Sequence, residues 1–141
     1  MRPLLVVGIL TSLTLTVTRA DAGCPTAVTD GAKKALPGAA LLRCEPDGGH
    51  FEATLQRADK TLVELELSAN GEVLAIEEAV PIASLPSPVL KAVRARYPKS
   101  TLHKAERITK GKDVSFEVEV KLATGVKEAT FKADGTFVEE E

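Results

Sequence analysis

Aromatic and reactive side chains are scarce in this chain. Its 141 residues include no Trp, one Tyr, four Phe, two His and two Cys. The shortage of Trp and Tyr removes most of the large anchors on which tight protein interfaces depend. His50 and His103 stand outside any recognisable catalytic motif, and no His or Cys pair has zinc-ligand spacing. We therefore predict a protein that is not an enzyme, with no catalytic residue, no metal site and no cofactor.

An excess of positive charge is also lacking. The 18 Lys and Arg residues are outnumbered by 20 Asp and Glu residues, which gives a formal net charge of −2. A chain with this balance has no electrostatic attraction to nucleic acid or to an anionic membrane. No glycine-rich phosphate loop is present, because Gly48-Gly49 before His50 is a plain turn signal. These absences exclude nucleic acid and nucleotides as expected ligands.

The first 22 residues have the layout of a secretory signal peptide. Arg2 provides the basic start, residues 4–17 form the apolar run, and Ala20 and Ala22 provide small side chains for a cleavage site. The apolar run is shorter than the roughly 20 residues that span a bilayer. We predict export to the periplasm or the cell exterior, with cleavage after Ala22.

The two cysteines, Cys24 and Cys44, have two possible fates in an exported chain. An even pair in an oxidising compartment favours a structural disulfide. The alternative is lipidation of Cys24, which would anchor the protein to a membrane, although Asp21 occupies the position where lipoprotein signals carry an apolar residue.

The rest of the chain repeats itself at a spacing of about 61 to 65 residues. Leu36-Pro37 corresponds to Tyr97-Pro98, and Asn70-Gly71 corresponds to Asp134-Gly135. We predict a signal peptide over 1–22, a first copy over 23–80 and a second copy over 81–141.

Each copy has the pattern of one helix followed by four strands. In the second copy Ser87 is the predicted N-cap and Pro98 ends the helix, whereas Gly31 is expected to fray the helix of the first copy. Alternating apolar and polar residues predict the strands. They cover residues 39–45, 50–57, 61–68 and 72–77, then 101–108, 113–122, 126–132 and 136–139. Asn70-Gly71 and Asp134-Gly135 are predicted hairpin turns that join the last two strands of each copy.

The second copy resembles the PepSY-like family, which is described as similar to beta-lactamase inhibitory protein. The resemblance rests on Leu85-Pro86, Tyr97-Pro98, the strand around Glu106, the strand that begins at Phe116, and the turn at Asp134-Gly135. It implies an α+β fold of two tandem repeats, each a helix with a four-stranded antiparallel sheet, and the two sheets join into one curved surface. It also implies an exported, non-catalytic binding or inhibitor-like protein whose partner is an unknown protein of the cell envelope or exterior. The alternatives are a small-ligand or ion-binding module of the envelope and a protease-regulating domain that acts in trans.

Glutamates on the outward phase of the strands are the candidate partner site. Alternation along each strand predicts that they share one solvent-facing surface of the sheet. The candidates are Glu52, Glu64, Glu66, Glu117, Glu119 and Glu128. They would complement a basic surface on the partner, or would only form a solvated face. We expect the protein to be a monomer.

Overall fold

The structure, a computed structural model, describes residues 23–141, so the predicted signal peptide and its cleavage site lie outside it. Two ten-residue helices each precede four strands, and a short 3-10 helix over Ile82–Ser84 leads into the second helix. The helices are α1 (Thr26–Ala35) and α2 (Ser87–Arg96). The strands are β1 (Ala40–Asp47), β2 (His50–Gln56), β3 (Leu62–Leu67), β4 (Val73–Ala79), β5 (Thr101–Lys110), β6 (Asp113–Leu122), β7 (Gly125–Lys132) and β8 (Phe137–Glu140).

All eight strands form one antiparallel sheet in sequence order, so the predicted architecture of two four-stranded sheets is wrong. β4 and β5 pair directly, from Ile76 opposite Thr109 to Ala79 opposite Glu106. The physical reason is that a strand at a sheet edge leaves a row of backbone N–H and C=O groups without partners. Pairing β4 with β5 satisfies both rows and removes two edges from the molecule.

The two helices cover one face of the sheet and bury two separate apolar clusters. Val28 and Ala32 of α1 pack on a cluster that includes Leu55 and Leu65, whereas Val89 and Val93 of α2 pack on one that includes Phe131. These small apolar residues recur at helical spacing, so each helix presents a single apolar stripe to the sheet. Each half of the sheet therefore has its own core under its own helix.

Charged residues occupy the space between the two clusters on the helix-covered face. Glu78 of β4 accepts hydrogen bonds from Arg57, which follows β2, and from Arg107 of β5. These hydrogen bonds hold the pKa of Glu78 below its usual range, and the bond from Arg57 has the largest effect. Partial burial acts in the opposite direction. This three-residue network bridges the β4–β5 junction with charge, which is why the apolar clusters stay distinct.

Three of the hairpin turns share one backbone conformation. In the turn after β3, Gly71 donates its N–H to the carbonyl of Ser68 and has φ of 80°; in the turn after β7, Gly135 donates to Lys132 with φ of 89°. Each is a three-residue loop that ends in a left-handed residue. The turn after β2 repeats the pattern with Lys60 at the left-handed position, φ 73°. Both predicted hairpin turns are present, with the positive φ on glycine.

The close packing of α1 on the turn after β3 explains why glycine interrupts the first helix. A methyl group on Gly31 would overlap the carbonyl of Gly71, and one on Gly71 would overlap the carbonyl of Ala27. The second half repeats the contact less tightly, because a Cβ on Gly135 would lie 2.7 Å from the carbonyl oxygen of Pro88. Gly31 therefore permits a backbone-to-backbone contact, and α1 runs unbroken where fraying was expected.

The start of α2 differs from the predicted cap. Ser87 is the first residue of the helix, and Pro86 occupies the N-cap without a side-chain hydrogen bond. The Pro86 ring fixes φ at −54° in the extended region that a capping residue requires. The helix thus begins one residue earlier than the serine signal indicates.

Cys24 and Cys44 form the predicted disulfide, with Cα atoms 5.9 Å apart. The bond ties the segment before α1 to β1, and Cys44 belongs to the first apolar cluster. No free cysteine occurs among residues 23–141. The Cys24 sulfur is bonded to Cys44 in this structure, so it is not available for lipidation.

Candidate functional site

The face of the sheet opposite the helices carries all six predicted glutamates. Successive side chains of a strand point to opposite faces of the sheet. Ala53, Leu65 and Val118 point into the cores, so the glutamates next to them point to the helix-free face. The register brings the glutamates of adjacent strands side by side. On β2 to β3, Glu52 lies opposite Glu66, and on β6 to β7, Glu119 lies opposite Glu128.

Two further glutamates extend this row of carboxylates across the junction of the two halves. Glu77 of β4 lies opposite Glu64, and Glu106 of β5 lies opposite Glu117. Like charges directly opposite one another on a sheet destabilise the pairing. With Glu45 of β1 opposite Glu52, five such pairs on one face represent electrostatic strain that the folded chain tolerates.

Three of the predicted glutamates have a nitrogen partner within the chain. Glu52 accepts a hydrogen bond from Arg43 at 3.2 Å, Glu66 lies 3.0 Å from Nδ1 of His50, and Glu119 lies 2.7 Å from Nδ1 of His103. The last two contacts are ion pairs only when the histidine is protonated. Both histidines, which stand outside any recognisable motif in the sequence, face glutamates of the candidate site.

The other three predicted glutamates have no nitrogen partner of this kind in the part of the chain that the structure describes. We give the name central carboxylates to those of Glu64, Glu77, Glu117 and Glu128. Among residues 23–141, no Lys, Arg or His nitrogen lies within 4.0 Å of any of these four. Glu106 lies beside them but is held by Lys104, whose Nζ is 2.8 Å from Oε1.

Burial and mutual repulsion raise the pKa of three central carboxylates. For Glu117, loss of solvent and then the charges of Glu128 and Glu106 raise the pKa from 4.5 to about 7. Burial followed by the charges of neighbouring glutamates likewise raises the pKa of Glu64 and of Glu77. The centre of this face therefore holds negative charge at a cost, and a cation placed there would be stabilised.

Apolar contacts beneath the carboxylates account for the loss of solvent. Ala75 and Ile108 are buried although they point to the helix-free face, and Thr130 beside Glu117 is 6% exposed. A small cavity of about 70 Å³ opens between β2, β3 and β4 and is lined by Glu52, Glu64, Glu66 and Glu77. A cavity of this size holds a few water molecules and is far below the several hundred Å³ of a typical small-molecule site.

Sequence reasoning missed Glu77 and Glu106 for identifiable reasons. The bulge between Glu66 and Leu67 in the β3–β4 pairing shifts the alternation of β4, which obscures the face to which Glu77 belongs. On β5, Glu106 and the buried, apolar Ile108 point to the same face, so polarity alone does not identify the solvent-facing side of that strand. Only the β4–β5 pairing brings these two residues to the centre of the group.

Replacing Glu117 by Gln should stabilise the protein at alkaline pH. The folded carboxyl binds a proton up to about pH 7, whereas the reference value is 4.5, so stability falls as pH rises between these values. Below that window both states are protonated, and Glu117→Gln should have little effect. Above it the gain should be about 1 to 2 kcal/mol, since solvent screening reduces the full linkage.

Urea unfolding of both forms at acid, neutral and alkaline pH measures this difference. Glu119→Gln is the matched control, because its carboxylate is two residues along the same strand and pairs with His103. A stability difference for Glu117→Gln that does not change with pH would contradict the expected burial of charge.

Solved structures with the same fold come from Bacteroides. A protein from Bacteroides eggerthii described as periplasmic superposes with a TM-score of 0.74 at 14% identity, covering 84% of this chain and 88% of that one. A DUF2874 family protein from Bacteroides uniformis gives 0.74 at 16% identity, with coverage of 84% and 88%. A protein from Bacteroides fragilis described as BLIP-like gives 0.66 at 24% identity, with coverage of 84% and 85%. The chain shares their fold.

Sequence comparison is less informative than this structural similarity. No protein-family model matches the chain, and no curated protein matches it. At 14 to 24% identity the resemblance to the solved structures applies to the fold alone. Within residues 23–141, neither helix has the length and apolar character needed to cross a membrane.

Proposed function

We propose that this chain is an exported, non-catalytic binding protein whose helix-free sheet face receives a positively charged segment of a protein partner. The observation that carries the proposal is the arrangement of central carboxylates opposite other glutamates across β3 to β7. The raised pKa values of Glu64, Glu77 and Glu117 mean that a Lys or Arg from a partner would relieve repulsion that the chain itself relieves only in part. The partner therefore contributes the missing counter-charge.

A protein partner fits this face better than an ion or a small molecule. In the described residues, no group of three or more His, Cys, Asp or Glu side chains is placed to hold a metal ion. The carboxylates extend across several strands instead of converging on one point, and the cavity among them is too small for an organic ligand. An extended surface of this kind suits a partner that presents several cationic side chains.

The descriptions of the structural neighbours support a role in the cell envelope. One is described as periplasmic and another as BLIP-like. The predicted signal peptide and the disulfide agree with export, and the PepSY-like resemblance agrees with an inhibitor-like or protease-regulating role in trans. We infer a periplasmic or secreted location from these observations.

The chemistry of the face indicates the kind of affinity to expect. The only tyrosine, Tyr97, is buried in the second apolar cluster, so no Tyr or Trp anchor is available on this face. Binding would therefore depend on charge complementarity, which favours fast association and is weakened by salt. Inhibition through a deeply inserted aromatic anchor does not fit this surface.

A double substitution, Glu77→Gln with Glu117→Gln, should reduce binding to a lysine-rich peptide at least about tenfold, through loss of two uncompensated charges. Because a bound cation favours the ionised carboxylate, affinity of the unmodified chain should rise as the pH increases past the pKa of Glu117, which is raised to about 7. Isothermal titration calorimetry at several pH values and salt concentrations measures both effects.

The matched control removes the same number of charges elsewhere. Asp30 on α1 and Glu72 in the turn before β4 are exposed and outside the carboxylate group, so Asp30→Asn with Glu72→Gln should leave binding within about twofold. Equal losses from the two double variants would show that only net charge matters and would refute a localised site.

A further inference from the structure

Asn70, in the turn between β3 and β4, combines an intrinsically reactive sequence with a strongly restrained setting. It is the only asparagine in the chain, and Gly71 follows it. In an Asn-Gly pair the backbone nitrogen of glycine, after losing its proton to hydroxide, can attack Cγ of the asparagine side chain. A C–N bond forms, ammonia leaves, and a cyclic succinimide results. Water then opens the ring to aspartate or to isoaspartate, with no change of oxidation state.

The side chain of Asn70 lacks the restraint found in the related turns. Asp59 accepts a hydrogen bond from the N–H of Thr61 at 3.0 Å, and Asp134 accepts one from the N–H of Thr136 at 2.8 Å. In the Asn70 turn the corresponding N–H, that of Glu72, donates to the hydroxyl of Ser68 at 3.2 Å instead. Asn70 is exposed, and its amide makes no hydrogen bond to the residues that the structure describes. Cγ is thus open to attack.

The attacking nitrogen is held in place. The N–H of Gly71 donates to the carbonyl of Ser68 at 2.9 Å. Gly71 also packs so closely on α1 that no Cβ would fit between it and Ala27, or between Gly31 and Gly71. Ring closure requires this nitrogen to lose its hydrogen bond and to move toward the Asn70 side chain. The docked turn therefore opposes the reaction that its sequence favours.

We propose that Asn70 is a deamidation site at which the docking of Gly71 on α1 holds the reaction back, so that modification proceeds when this contact opens. Local opening of a hairpin from a helix requires less than global unfolding, so the reaction reports on the first half of the fold. Molecules that lose this contact are chemically marked, whereas intact molecules are protected.

The two products have different consequences for the fold. An aspartate at position 70 reproduces the Asp134-Gly135 turn and can accept a hydrogen bond as Asp134 does. Isoaspartate routes the main chain through the former side chain and lengthens it between residues 70 and 71. The added length displaces Gly71 from the carbonyl of Ala27, where the packing leaves no space. Only the isoaspartate product prevents the turn from docking again.

The test follows deamidation of the full chain in mildly alkaline buffer, with the disulfide intact, by peptide mapping and mass spectrometry. Asn70 should react at least about tenfold faster in unfolding concentrations of urea than in native buffer, because the restraint disappears on opening. Gly31→Ala leaves the Asn-Gly pair unchanged but pushes Gly71 away, and it should raise the rate in native buffer toward that in urea.

Two controls separate this restraint from general effects. Gly111→Ala alters a left-handed glycine, φ 62°, with no atom near its Cβ position, and should keep the slow native rate. If Gly31→Ala prevents folding, the unmodified chain still decides the question at urea concentrations below the unfolding transition. The rate should rise there in parallel with hydrogen exchange at the Gly71 amide. Equal rates in native buffer and in urea, or a rate independent of this exchange, would overturn the proposal.

Discussion

Gly71→Ala should destabilise the protein by at least about 3 kcal/mol, because two separate costs fall on one methyl group. The backbone of Gly71 has φ of 80°, a left-handed conformation that costs an alanine about 1 to 2 kcal/mol. The added Cβ would also overlap the carbonyl of Ala27. That carbonyl belongs to the helix backbone, so it cannot move aside as a flexible side chain would. The helix must therefore shift away from the sheet and uncover Val28 and Ala32, which are fully buried.

Urea unfolding measures this loss, and Gly111→Ala provides the comparison. Gly111 has a similar left-handed conformation but open space around its Cβ position, so its substitution should cost only the conformational part, about 1 to 2 kcal/mol. Gly135→Ala should lie between the two, since its Cβ would approach the carbonyl oxygen of Pro88 at 2.7 Å. Equal losses at Gly71 and Gly111 would show that the close approach to α1 contributes nothing.

Replacing both cysteines by alanine should lower the free energy of unfolding by about 2 to 4 kcal/mol. The bond between Cys24 and Cys44 spans a sequence separation of 20 and restricts the unfolded chain. It also fixes the start of α1 to β1, a strand that pairs on one side only. Loss of the bond should therefore weaken the half of the sheet that is under α1.

Unfolding with and without reductant distinguishes the bond from other effects of the substitution. Reduction of the unmodified chain should produce a similar loss, while the double variant should not respond to reductant. Hydrogen exchange should accelerate mainly in α1 and β1, because the cluster under α2 contains neither cysteine. If the urea midpoint of the unmodified chain did not change on addition of reductant, the prediction would be contradicted.

The carboxylate face shows how far residue patterning alone can identify a surface. Alternation placed Glu117 and Glu119 on the same side of β6, because side chains of a strand alternate whatever its neighbours are. It did not distinguish Glu119, which has His103 at 2.7 Å, from Glu117, whose pKa is raised to about 7. That difference depends on which residues of other strands lie nearby.

The sequence by itself determined the elements of this protein. Periodicity marked the eight strands and two helices, Asn-Gly and Asp-Gly marked the turns, and two cysteines in an exported-type chain indicated the disulfide. These signals are local or depend on residue chemistry, so they can be recognised without knowing how the elements pack.

Only the tertiary structure decided how those elements join. The pairing of β4 with β5 makes one sheet instead of two, and it brings Glu77 and Glu106 to the centre of the carboxylates. The contact of Gly31 with Gly71 gives a packing reason for a glycine that looked like a helix defect. Both outcomes depend on contacts between segments distant in sequence, where backbone hydrogen bonding, close packing and charge repulsion act together and leave no periodic pattern in the chain.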